Sequence, residues 1–139
     1  MRHPDLARRP RLHWLLALAA MAAGSAACAE PVTCESLTPR NERREITCVL
    51  KAPAAAQRFR FKAHFSGSHD DTTAALKLTL DGAPLACDPG SKTYLEAEDG
   101  DVTLECRFSI APGGSATRGV RALLSWHHAE YTRFELVSE

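Results

Sequence analysis

Apolar and polar residues alternate one for one along three stretches of this 139-residue chain, and that period constrains its fold more than any other feature. Phe59, Phe61, Ala63 and Phe65 alternate with Arg58, Arg60, Lys62 and His64. Leu76, Leu78 and Leu80 alternate with Lys77 and Thr79, and Val102, Leu104, Cys106, Phe108 and Ile110 with Thr103, Glu105, Arg107 and Ser109. Successive side chains of an extended strand leave opposite faces, so each run has one face for burial and one for water. No sustained helical period intervenes, and the cluster Ala54-Ala55-Ala56 is short and follows Pro53.

Turn chemistry supports the same reading. Asp81-Gly82 and Asp99-Gly100 supply the positive φ angles of tight hairpins, and Pro112-Gly113-Gly114-Ser115 breaks the chain again. The pattern predicts strands near 31–37, 43–50, 57–66, 74–80, 84–88, 92–97, 101–110, 118–127 and 131–137. Eight or nine short strands need two faces to share one core. The expected fold is therefore all-β: a small antiparallel β-sandwich, jelly-roll or immunoglobulin-like, stapled by disulfides. Phe61, Leu78, Leu104, Phe108, Leu124 and Trp126 are expected buried together, and Arg60, Lys62, Glu105 and Arg107 exposed, because a one-residue slip would invert both sets.

Residues 1–29 have the three-part form of a secretory signal. Arg2, Arg8, Arg9 and Arg11 precede the apolar run from Trp14 to Ala23, and Ala27-Cys28-Ala29 reads as a small-x-small cleavage site before Glu30. The apolar run is too short to span a bilayer permanently. The expected organisation is a signal peptide over 1–29 and one domain over 30–139, periplasmic or secreted, with no transmembrane segment after cleavage. Lipidation of Cys28, giving an outer-membrane lipoprotein, is the less favoured alternative, since Ser25-Ala26-Ala27 lacks the usual Leu three residues before the cysteine. Arg8-Arg9 resembles a twin-arginine start, but Pro10-Arg11-Leu12 departs from that pattern.

An oxidising compartment commits Cys34, Cys48, Cys87 and Cys106 to disulfides. Cys48 shares a face with Ile46 and Leu50, and Cys106 with Leu104 and Phe108, so both point into the core. Three connectivities are possible. Cys34–Cys48 with Cys87–Cys106 is preferred because each pair would tie neighbouring strands. A zinc site is the rival reading, disfavoured by the lack of any Cys-x-x-Cys interval.

Four of the seventeen basic and one of the seventeen acidic residues fall within 1–29, leaving 13 against 16 and a formal net charge of −3. That balance excludes the basic excess expected of a nucleic-acid binder. Both methionines, Met1 and Met21, also lie in the signal, which excludes a methionine-type copper carrier.

Candidate chemistry gathers in the loop Ser66-Gly67-Ser68-His69-Asp70-Asp71-Thr72-Thr73, with His64 on the preceding strand. Imidazole with carboxylate suits a borderline divalent metal, and oxygens alone suit calcium. The same residue types also form any exposed turn, so His69, Asp70 and Asp71 are expected exposed. His127 is expected to point outward at a strand end. His128 is expected at the turn, and a neighbouring pair on a strand faces opposite ways and makes a poor bidentate ligand. The acidic run Glu96, Glu98, Asp99 and Asp101 is read as a solvated hairpin tip. The basic stripe Arg58, Arg60, Lys62 and His64 is read as one side of ordinary cross-strand pairs, with a docking surface for an acidic partner as the alternative if it is unpaired.

No Gly-x-Ser-x-Gly elbow or phosphate loop is present, and the cysteines are committed. The function expected is therefore non-enzymatic: a binding protein of the bacterial periplasm or cell envelope, of inhibitor, immunity or adaptor type. Its partner would be another envelope or secreted protein, and no cofactor is implied. The alternative is a periplasmic divalent-metal module built on His64, His69, Asp70 and Asp71.

Overall fold

A computed structural model of the protein describes residues 33–37, 41–67, 71–96 and 100–139. The signal segment with Cys28, and the loop residues Ser68, His69, Asp70, Glu98 and Asp99, lie outside the described residues. Nine strands follow in order: β1 (Thr33–Ser36), β2 (Arg43–Lys51), β3 (Gln57–Gly67), β4 (Thr73–Leu80), β5 (Ala83–Leu85), β6 (Tyr94–Glu96), β7 (Gly100–Ile110), β8 (Thr117–His127) and β9 (Ala129–Ser138). Each overlaps one predicted strand. The turn at Asp81-Gly82 has φ of +50° and +83°, the two positive values that an Asp-Gly hairpin supplies.

Two antiparallel sheets share the strands. One has the order β1-β2-β8-β4, with β5 and β6 both on the outer side of β4; the other has the order β7-β3-β9. Consecutive long strands therefore change sheet: β2 to β3, β3 to β4, β7 to β8 and β8 to β9. That alternation favours the jelly-roll connectivity of the two expected. No helix among the described residues is long and apolar enough to cross a membrane.

The core is the space between the two inner faces. The three-stranded sheet supplies Phe59, Phe61, Phe65, Leu104, Phe108 and Ile110, all but closed to solvent. The six-stranded sheet answers with smaller groups: Ile46, Ala74, Leu76, Leu78, Val120, Ala122 and Leu124. Large against small lets the layers interdigitate, and each fully buried Phe or Leu contributes about 1.5–3 kcal/mol of transfer free energy.

Both expected disulfides form. Cys34 stands directly across from Cys48 in the β1–β2 register, with Cα atoms 4.0 Å apart. Cys87, just past β5, reaches Cys106 on β7 and ties the two sheets together, Cα to Cα 5.2 Å. The segment beyond Cys87 then runs along the edge of β7. Asp88 N donates to Arg107 O (2.7 Å), and Lys92 and Glu105 exchange both backbone bonds (2.9 and 2.7 Å), so this edge is covered.

Two burial expectations shift. Trp126 is half-buried because it closes the end of the sandwich, where it packs on Phe65 and Tyr131 with centroids 5.6 and 5.9 Å away. Arg60, Lys62, Glu105 and Arg107 are half-buried rather than exposed. They lie over one another as an ion-paired network, so each stem shields its neighbours.

Candidate functional site

At one end of the sandwich the chain leaves β8 and enters β9 through a single residue. His128 makes that turn with a φ of +49°, a left-handed conformation uncommon for a side chain with a Cβ. The hydroxyl of Thr72, itself fully buried, donates to the His128 carbonyl at 2.8 Å and holds the turn. The strand alternation therefore stops at His127. The expected opposite orientation of the two histidines does not occur: their rings lie face to face, 3.9 Å between centroids and 26° between planes.

Each ring also meets a carboxylate. His127 Nδ1 lies 3.1 Å from Glu42 Oε2, and Glu42 is anchored in the β1–β2 turn, where its carbonyl accepts from Trp126 N at 2.9 Å. His128 Nδ1 lies 2.6 Å from Asp71 Oδ1, at the entry to β4. Asp71, His127 and His128 each offer one ligand atom, and all three atoms fall within 4.8 Å of one another. Water reaches all of these groups, so their ion pairs add little to stability.

His64 does not join this cluster. Its Nδ1 is 3.0 Å from Thr103 Oγ1 and its Nε2 is 3.3 Å from Glu135 Oε2, on the outer face of the three-stranded sheet. Hydrogen bonds from Arg133 first, and His64 second, hold the Glu135 carboxyl below its ordinary range. The rest of the basic stripe is paired too. Arg58 meets Asp88 (3.6 Å), Lys62 meets Glu105 (3.7 Å), and Arg60 meets Glu105 and Glu139. Asp71 and His127 are exposed as expected.

The outer face of the six-stranded sheet has a different character. Short side chains, Ala75 and Ser125, stand opposite each other in the β4–β8 register and form the floor of an open depression of about 1120 Å³. Leu37, Arg43, Lys77 and Leu123 rise around it. Tyr94 on β6, across from Ala75 in the β4–β6 register, lies on the same face. Leu37, Leu123 and Tyr94 are 58%, 42% and 56% exposed. Glu45 beside Leu123 is neutralised by Arg121, whose Nε is 2.6 Å away. Arg43 and Lys77 have no ion pair among the described residues, and the depression is left with a positive balance.

Comparison with protein-family models, curated proteins and solved structures finds no match to this chain. Sequence reasoning passed over His128 and Glu42 as site residues. The end of the apolar alternation at Trp126, followed by two histidines before a new strand, is the signal that marks the turn. The exposed leucines of the outer face were visible only as breaks in the alternation, such as Leu123-Leu124.

Proposed function

We propose that this chain is an exported, non-enzymatic binding domain that docks an acidic segment of another envelope or secreted protein on the outer face of its six-stranded sheet. The observation that carries this reading is the exposure of Leu37 and Leu123 around a small-residue floor, with Tyr94 on the same face beside it, next to the cationic Arg43 and Lys77. Exposed apolar side chains gathered on one face, with polar groups at the margin, are the makeup of a protein-binding patch. The positive balance selects a partner of opposite charge and speeds its approach. The two disulfides support folding in an oxidising compartment.

Site-specific photo-crosslinking in the intact exporting cell tests it. A crosslinker at Leu123 should trap a discrete acidic protein, salt should weaken the adduct, and the same group at Val137, exposed on the other sheet, should not trap it. No adduct at Leu123, or equal adducts at both positions, would overturn the reading.

A further inference from the structure

We infer that Asp71, His127 and His128 form a binding site for a borderline divalent transition-metal ion, zinc or copper(II), at the end of the sandwich where β8 gives way to β9. This inference is independent of the docking face, which lies on other residues of the sheet.

The donor set points to that class of ion. Two neutral imidazoles and one carboxylate suit zinc and copper(II), whereas calcium and magnesium require oxygen ligands throughout. The distances are close to what coordination needs. With metal–nitrogen bonds of about 2.0–2.1 Å, two ligands of a tetrahedral site stand about 3.4 Å apart. The three ligand atoms already lie within 4.8 Å of one another, with His128 Nδ1 and Asp71 Oδ1 2.6 Å apart; small rotations of these surface side chains part the close pair and draw the third donor in.

The backbone has done the rest. Adjacent residues of a regular strand cannot ligate one ion, because their side chains leave opposite faces. The left-handed His128 removes that obstacle and places both rings on the same side. A second observation, outside the three ligands, points the same way. Glu42 Oε2 sits 3.1 Å behind Nδ1 of His127. A carboxylate behind a ligating imidazole accepts its Nδ1 proton, fixes the tautomer and presents Nε2 to the metal. His128 Nδ1 and Asp71 Oδ1 stand 2.6 Å apart, and the ion would replace that contact, with water filling the remaining positions.

Calorimetric titration of the chelator-treated protein with zinc and, separately, copper(II) tests the proposal, together with histidine-ring NMR of the unmodified protein during the zinc titration. One equivalent of ion should bind and raise the melting temperature, and the ring signals of His127 and His128 should shift while those of His64 stay still. His127→Gln and His128→Asn should each weaken binding by about tenfold or more; Asn is chosen because it tolerates the left-handed backbone. Glu42→Gln should weaken it by about 10–100-fold through orientation alone. Uptake of neither ion, a shift confined to other histidines, or binding unchanged in the histidine variants would each overturn the assignment. The NMR readout keeps the test decisive even if a variant folds poorly.

Discussion

The buried hydroxyl of Thr72 is bonded to the carbonyl of His128, 2.8 Å away and 56 residues further along the chain. Thr72 is the one fully buried polar side chain among the described residues, and it acts on the one turn that brings the two histidines together. Stability and site geometry therefore meet at a single hydrogen bond.

Thr72→Val keeps the shape and removes the donor. The contact between the buried Thr72 position and the His128 carbonyl is then lost, at a cost of about 1–3 kcal/mol. Thr72→Ser should restore most of it. Urea denaturation of the three proteins provides the comparison, and equal midpoints for Val and Thr would show that water satisfies the carbonyl instead.

Phe108 sits at 1% exposure with its ring stacked on Phe59, 5.7 Å between centroids. Phe108→Ala leaves a cavity between the sheets and should cost about 3–5 kcal/mol, a large share of the 5–15 kcal/mol typical of a domain. A variant that melts like the parent would mean the inner faces are wrongly assigned.

The two disulfides differ in what they hold. Their sequence separations are 14 and 19, so loop closure predicts a similar contribution from each, about 3 kcal/mol. Replacing Cys34 and Cys48 together by Ala should free edge strand β1 to hydrogen exchange while β3 stays protected. Replacing Cys87 and Cys106 unties the two sheets, so protection should fall in both β4 and β7. Exchange measured strand by strand separates these outcomes.

Asp81 carries an acid-sensitive contact. The Gly119 N–H, donating at 2.8 Å, and then Arg118, at 2.6 Å, hold its carboxyl below the ordinary value of 3.8. A carboxyl lowered in the folded state adds stability above its unfolded value and loses it as pH falls through the folded one. The parent should therefore melt above Asp81→Asn near neutrality, fall more steeply below about pH 4, and converge with it in acid. Asn keeps the turn, since Asn-Gly accepts the same positive φ angles. Parallel curves for the two proteins would remove Asp81 from the acid response.

The elements were legible in the sequence because a period of two is a local property: it needs no knowledge of partners to say which face of β3 or β7 is buried. The preferred disulfide pairing came from tying neighbouring strands, and Cys34–Cys48 and Cys87–Cys106 form. What escaped depends on residues brought together from far apart. The shielding of Arg60 comes from Glu105 and Glu139, the latter 79 positions away, and no local pattern announces it. The approach of His127 to His128 depends on one positive φ at a residue type that seldom adopts it, so strand logic set the two rings apart. His64 looked close to the loop along the chain, yet the pairing of β3 with β7 and β9 gives its ring other neighbours.

Leu123 and Leu124 offer the sharpest separation of fold from binding. They are adjacent in β8 and identical in chemistry, but the first is 42% exposed on the outer face and the second 2% exposed in the core. Leu124→Ala should cost about 2–5 kcal/mol, because it empties space between the sheets opposite the phenylalanines. Leu123→Ala should change stability by no more than about 0.5 kcal/mol. If the outer face docks a partner, Leu123→Ala should nonetheless lose most of the association seen with the parent, since a few large apolar side chains carry most of the binding energy of such a patch. Thermal melts and quantitative co-purification of the crosslinked partner, run on both variants, give four outcomes. A folded Leu123→Ala protein that keeps its partner would move the binding surface off this sheet face.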